Sequence, residues 1–579
     1  MTSTTRGRQG WYRPGPRVAG VLLGAAALLA GTGAVPAAQA ASAPTVTAPP
    51  YSCAPNGPAG NQTVYGTFGD ASVLGWTGNH QAVPACLGGS FFVISGGQPG
   101  SGATTPVTGT TYGYGVYDDS TTTWTNADGY LPALVTTFDR DGARISITNF
   151  GDKVTAGGHA YVAIYSRVQV TNPTGQALSI DPQASAGLIP LNQAGDTVPA
   201  HGSVNHDYVV AADRFGGSYA WPSASALAGA GGYDQHFAHM RAYWNQQLAG
   251  IAQIVSLPDA SLADAYRTGF IYTQILRSGN ELRTGANGYD TEFSHDVIGI
   301  LANLFTQGYT ANAHGLLLRA RHVSGNQPQY LDGVWTWAAP FLFGRWAWDG
   351  SLFGAPLSGP GVSLIDATYT YGFARLAGKL PPDTFGGYPA QYFSTAYNAG
   401  YGEWGLASSD YRSQGIASYQ FMIANGQNGP YSWWESQQFP NPGSPWTGVH
   451  PEAGNGSSPH AWGIANANMT LLDSLAAQRS DGSLMVGRGV PDAWLRGGQA
   501  ISVANFPTTD GRHLGLTIRP NGLAITLSLT GAAPAGPVLF QLPAFVNNIA
   551  HASTGTVDQK TGTVTLASSA RSVTVQLRR

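Results

Sequence analysis

The chain has 579 residues, too many for one core and enough for about three domains. Hydrophobic residues make up 43% of it and charged residues only 10%, against about 25% in an average soluble protein. A net charge of −3 with no basic stripe speaks against nucleic acid as a partner, and a composition rich in Gly, Tyr and Trp suits an extracellular protein that handles a neutral ligand.

Residues 1–40 read as a secretory signal: Arg6, Arg8, Arg13 and Arg17 precede an Ala/Leu/Gly/Val run, and Ala38-Gln39-Ala40 is a small-x-small cleavage site. No later segment is apolar for long enough to span a membrane, so the expected product is secreted, with no membrane contact after cleavage. Residues 41–50 read as a linker. The two cysteines, Cys53 and Cys86, follow it and are expected to pair in an oxidising compartment; their spacing fits no metal motif, and neither a metal nor a cofactor is expected.

Residues 51–232 carry strand patterns. Ala133–Phe138 and Ala143–Thr148 alternate apolar and polar residues about the turn Asp139-Arg140-Asp141-Gly142, a hairpin signal. Tyr161–Thr171 and Ala177–Ile180 predict a further pair about Asn172–Gly175. The expectation is an N-terminal β-sandwich. Residues 233–259 predict a linker helix, with the helical pattern running from Tyr233 to about Ser256. Helical spacing then recurs over 260–280, 294–308, 310–323, 335–347, 363–378, 388–400, 409–425 and 458–477, with Ser294 the expected cap of the second. Helices joined by short links predict a helical-hairpin domain over 260–480. Short strands from 481 to 579 predict a smaller C-terminal β-sandwich, so the whole reads as a multidomain α+β protein.

Three loops assigned to one end of the helical array set acids beside aromatic residues. The first holds Tyr289, Asp290 and Asp296; the second holds Asp332, Trp335 and Trp337; the third runs from Asn428 to Ser457 and holds Trp433-Trp434-Glu435 and Glu452. Aromatic rings stack on the C–H faces of a sugar, and a carboxyl group moves a proton, so an acid framed by tryptophans points to carbohydrate chemistry. Trp462 and His460 open the last helix, and Glu403 lies between Gly402 and Trp404.

In order of parts, the chain resembles the bacterial glucoamylase-like group of the six-hairpin glycosidases. Asp332-Gly333-x-Trp335 is similar to a loop common in that superfamily, Ala461-Trp462-Gly463 is similar to the start of its final barrel helix, and Glu435 lies where such enzymes place the general base. His295-Asp296 stands where they often carry Arg-Asp, and the periodicity yields eight or nine helices where the family has twelve. The resemblance implies an (α/α)6-like toroid over 260–480 and hydrolysis of a glycosidic bond in a neutral poly- or oligosaccharide, by inversion through two carboxyl groups. The roles implied are Asp332 as general acid, Glu435 as general base and Asp296 as a hydroxyl-binding carboxylate. Glu403, Glu452 and Asp290 are alternates. Tyr289, Trp335, Trp337, Trp433, Trp434, Trp462 and His460 are candidate substrate contacts. The competing readings are a non-catalytic carbohydrate-binding or cell-wall protein on a degenerate barrel, and a polysaccharide lyase.

Overall fold

The computed structural model describes residues 71–97, 107–118, 121–287, 290–323, 392–407, 411–438 and 454–579.

The first part of the chain builds two antiparallel sheets. Four strands (Ser72–Leu74, Val83–Cys86, Ser90–Gly96 and Thr108–Tyr112) form one. The other runs in the order Ile189–Pro190, Ser203–Asp213, His159–Thr171, Ala143–Ala156, Ala133–Arg140, Thr123–Asn126. The tight turn Asp141-Gly142, with φ of 52° and 82°, sets the Ala133–Arg140 hairpin in the primed geometry that matches strand twist. Alternation in these strands drives Phe138, Ile145, Ile147, Ile164 and Val168 into a core shared with Leu74, Val83 and Phe91 of the first sheet. The partner of His159–Thr171 differs from expectation. It pairs with Ser203–Asp213, while Leu178–Ser179 pairs with Thr197–Val198. Asn172 is the local cause: its Nδ2 donates to the carbonyls of Gln176, Val198 and Pro199, which folds the intervening segment back on itself, with Ile180 and Val198 in the shared core.

The helices among the described residues are α1 (Ala224–Ala228), α2 (Tyr233–Ala249), α3 (Ala260–Leu276), α4 (Ser294–Thr306), α5 (Ala313–Val323), α6 (Thr395–Gly405), α7 (Gln414–Asn425), α8 (Ala461–Leu475) and α9 (Asp492–Arg496). The predicted helix from Tyr233 to about Ser256 ends at Ala249, and Gln253–Ser256 leaves it as an edge strand paired with Ile501–Pro507. None of the described helices is long and apolar enough to cross a membrane.

Helix α2 is fastened to the second sheet by a buried acid. Asp152, whose side chain is fully buried, accepts hydrogen bonds from His236 Nδ1 and His239 Nδ1, each at 2.8 Å. Tyr165 stacks on His236 and Trp76 on His239. Asp152→Asn turns one acceptor oxygen into an N–H donor that faces an imidazole N–H. A loss of about 1–3 kcal/mol is expected from an unsatisfied buried group of this kind, measured by denaturant unfolding.

The expected helical toroid is not what forms. Of the described residues 27% are helical and 35% lie in strands, distributed over several sheets. The described helices between 260 and 480 do not form a ring. α8 is buried at every one of its 15 positions and packs on α3, α4, α6 and α7. A helix buried on every side sits in the middle of a cluster. The loop parity drawn from alternating hairpins falls with the ring.

From Ala476 the chain returns to strands. Six (Gln253–Ser256, Ile501–Pro507, His513–Asn521, Ala524–Gly531, Ser572–Leu577 and Ile549–Ala552) form one sheet, which therefore takes its edge strand from between α2 and α3. Five more (Ala476–Gln478, Leu484–Val486, Val538–Gln541, Thr563–Leu566 and Thr556–Asp558) form another, in which Leu484–Val486 and Val538–Gln541 run parallel. A small three-stranded sheet, Tyr392–Ser394, Ser436–Gln438 and Gly454–Asn455, stands beside the first turns of α6 and α8.

Candidate functional site

Two helix starts and one end of the three-stranded sheet meet around His460. The residue caps α8: Gly463 N–H donates to its Nδ1 at 3.1 Å. Its own backbone N–H donates to the Trp433 carbonyl at 2.8 Å, and the next residue, Ala461, donates to the Thr284 carbonyl at 2.8 Å. The ring is therefore fixed from both sides. With Nδ1 accepting, the ring proton sits on Nε2, which faces Asp296 Oδ1 at 3.3 Å. Asp296 belongs to the first turn of α4, where the unpaired N–H groups favour an anion. Phe293 is the capping residue of that helix, and Ser294, the expected cap, is its first helical residue. The Asp296 and His460 side chains are 2% and 1% exposed. Gly299, one turn further along α4, admits the Trp462 indole, which a Cβ at that position would strike.

Glu435 enters from the sheet. Its N–H donates to the Ser457 carbonyl at 3.0 Å, and its carbonyl accepts from Thr395 N–H, the first residue of α6, at 3.2 Å. Gly456, at φ 84°, lies directly over the carboxylate; a Cβ there would collide with Glu435 Oε2, so only glycine satisfies both the backbone and the space. The side chain is half-buried. Burial pushes its pKa up, and the nearby His460 opposes the shift. Of the two acids, Asp296 is sealed and Glu435 is half-buried, and His460, whose Nδ1 accepts from Gly463 N–H, lies near both.

The remaining predicted residues fall elsewhere. Trp433 is 0% exposed, donates from Nε1 to the Met422 carbonyl at 3.0 Å and packs against Tyr419, so its ring belongs to the core. Trp434 and Trp462 are buried as well. Asp290 is held by Arg283 at 2.6 Å, within a chain of charges that continues through Glu281 and Arg319 to Glu292. Burial pushes Asp290 up to about 7 against the pull of Arg283, and its carboxylate is spent on that pair. Glu403 is fully buried in α6, eight residues beyond Thr395 and so about 12 Å along the helix axis from the Glu435 end. It acts on the Arg488 guanidinium, which burial and Arg412 push down and Glu403 pulls back. Asp332, Trp335, Trp337, Glu452 and Tyr289 lie outside the described residues, as does Cys53; Cys86 is buried in a small cluster with Phe92.

Sequence reasoning missed Gly456 and Thr395, the two residues that shape the space around Glu435. The glycine-rich run Gly454-Asn455-Gly456 was the available signal, since a glycine next to serines before a helix start marks a close approach or a positive φ.

No family model matches the chain, and no curated protein matches it.

Proposed function

We propose that this protein is an exported hydrolase of glycosidic bonds in a neutral poly- or oligosaccharide, with Glu435 as the carboxyl group that activates water. The observation that carries this reading is the state of Glu435: a half-buried acid of raised proton affinity, packed closely under Gly456 and set near Asp296 and His460. A base with a raised pKa takes a proton from water more readily once ionised. The low charge of the chain favours an uncharged substrate, and the pairing of Cys53 with Cys86 belongs to the same proposal for an exported protein. A panel of neutral glycans tests the reading, with products read by mass and by the NMR signal of the newly formed anomeric centre. Release of an inverted sugar supports it; no product from any glycan refutes it.

The pH dependence follows from the sign of the shift. Glu435 as a base works only when ionised, so kcat/KM rises with pH through a value above that of an ordinary glutamate, about 4.3. If Glu435 were instead the proton donor, the same group would produce a falling limb. For folding, a raised carboxyl pKa gives a stability contribution that is full below the unfolded value and is lost as pH rises through the folded one.

A further inference from the structure

A second opening lies where the turn at Tyr130, the last turn of α2, the edge strand Gln253–Ser256 and the first half of α3 come together. It encloses about 390 Å³, within the range of small-molecule sites. Leu248 supplies buried aliphatic surface to its lining, and Val255, 57% exposed, stands at its open mouth. Four polar side chains rim it. Tyr130 Oη donates to Asn245 Oδ1 at 2.6 Å, which leaves the two Asn245 N–H groups and the lone pairs of the phenol for something else. The Gln253 side-chain amide forms no hydrogen bond among the described residues, and it can both donate and accept. Arg267 lies over the Tyr130 ring, donates to the Ile254 carbonyl at 3.2 Å and pairs with Asp264 at 3.0 Å. That pairing cancels its charge, so the rim offers directional hydrogen bonds without a net field.

Aliphatic surface in the lining with amide and phenol groups at the rim, and no uncompensated charge, matches a molecule with a C–H face and a hydroxyl edge. We propose that this cavity is a second ligand site, taking a neutral polyhydroxylated ring of monosaccharide or disaccharide size. It shares no residue with the Asp296–His460–Glu435 cluster, and the proposal stands apart from any turnover at Glu435. Asn245 and Gln253 form no core, so replacing them leaves the fold intact.

The test uses the full mature chain with D-glucose, D-galactose and cellobiose as probes, read by saturation-transfer NMR and by titration calorimetry. Binding of at least one probe is expected, weakened about tenfold or more by Asn245→Ala with Gln253→Ala, which removes one to two net hydrogen bonds, and unchanged by Glu435→Gln. Circular dichroism of the double variant verifies that it folds. Absence of binding by all three probes overturns the proposal. So does binding that survives the double variant, or that is lost in Glu435→Gln, since either places the sugar elsewhere. Displacement of the bound sugar by acetate also overturns it, because the site would then be an anion site built on Arg267.

Discussion

On the proposed hydrolase reading, Glu435→Gln is expected to lower kcat by about 10²–10⁴-fold, with folding and glycan binding retained. Gln keeps the shape of the side chain, and the backbone bonds to Ser457 and Thr395 do not involve it. What disappears is the capacity to take up a proton. The amide also removes the charge that His460 acts upon, so the variant loses the pH-dependent limb of the wild-type profile together with its rate. A Gly456→Ala companion reaches the same carboxylate by another route. Its added methyl group collides with Oε2 at a backbone position of φ 84°, which displaces Glu435 and strains the turn. Full activity in Glu435→Gln removes the proposed role; loss in Gly456→Ala with a normal Glu435→Gln places the chemistry on another group near the same turn.

The parts of this molecule that were legible in the sequence are those governed by local rules. Asp141-Gly142 announces a two-residue turn because both positions need a positive φ, and the strands either side follow from alternation. Loop order and the family resemblance grouped Asp296 and Glu435 in one site, with His460 as a candidate substrate contact. The approach of His460 to Asp296 was not legible, because the two lie on different helices and only the packing of α4 on α8 brings them together. The toroid failed for a related reason. A 3.6-residue period reports that a helix has a buried face, not what covers it, and α8 turns out to be covered on all sides. The strand Gln253–Ser256 was absorbed into the preceding helix because its partner, Ile501–Pro507, is far away in sequence. Likewise the clamp of Asp152 on His236 and His239 shows in sequence only as two histidines three apart, with nothing to mark the acid that holds them.

Trp433→Ala costs about 3–5 kcal/mol of folding stability, the range for removal of a large buried aromatic ring. The indole is fully buried, so its truncation leaves a cavity bounded by Tyr419 and α7, and the Met422 carbonyl loses its donor as well. Trp433→Phe separates these two effects. It fills most of the space but supplies no N–H, so about 1–3 kcal/mol is expected for the unsatisfied carbonyl and the residual void. Both are measured by denaturant unfolding, alongside KM for the cleaved glycan. A tryptophan that stacks on a sugar would give the opposite pattern, with KM raised and stability near wild type. The backbone of the same residue also holds His460, through the 2.8 Å bond from His460 N–H to the Trp433 carbonyl, and Glu435 follows two residues later. A collapse around the missing indole therefore moves the cap of α8 and the proposed base together, and Trp433→Ala loses kcat in proportion to that displacement, whereas Trp433→Phe, which keeps the ring-sized support, retains most of it.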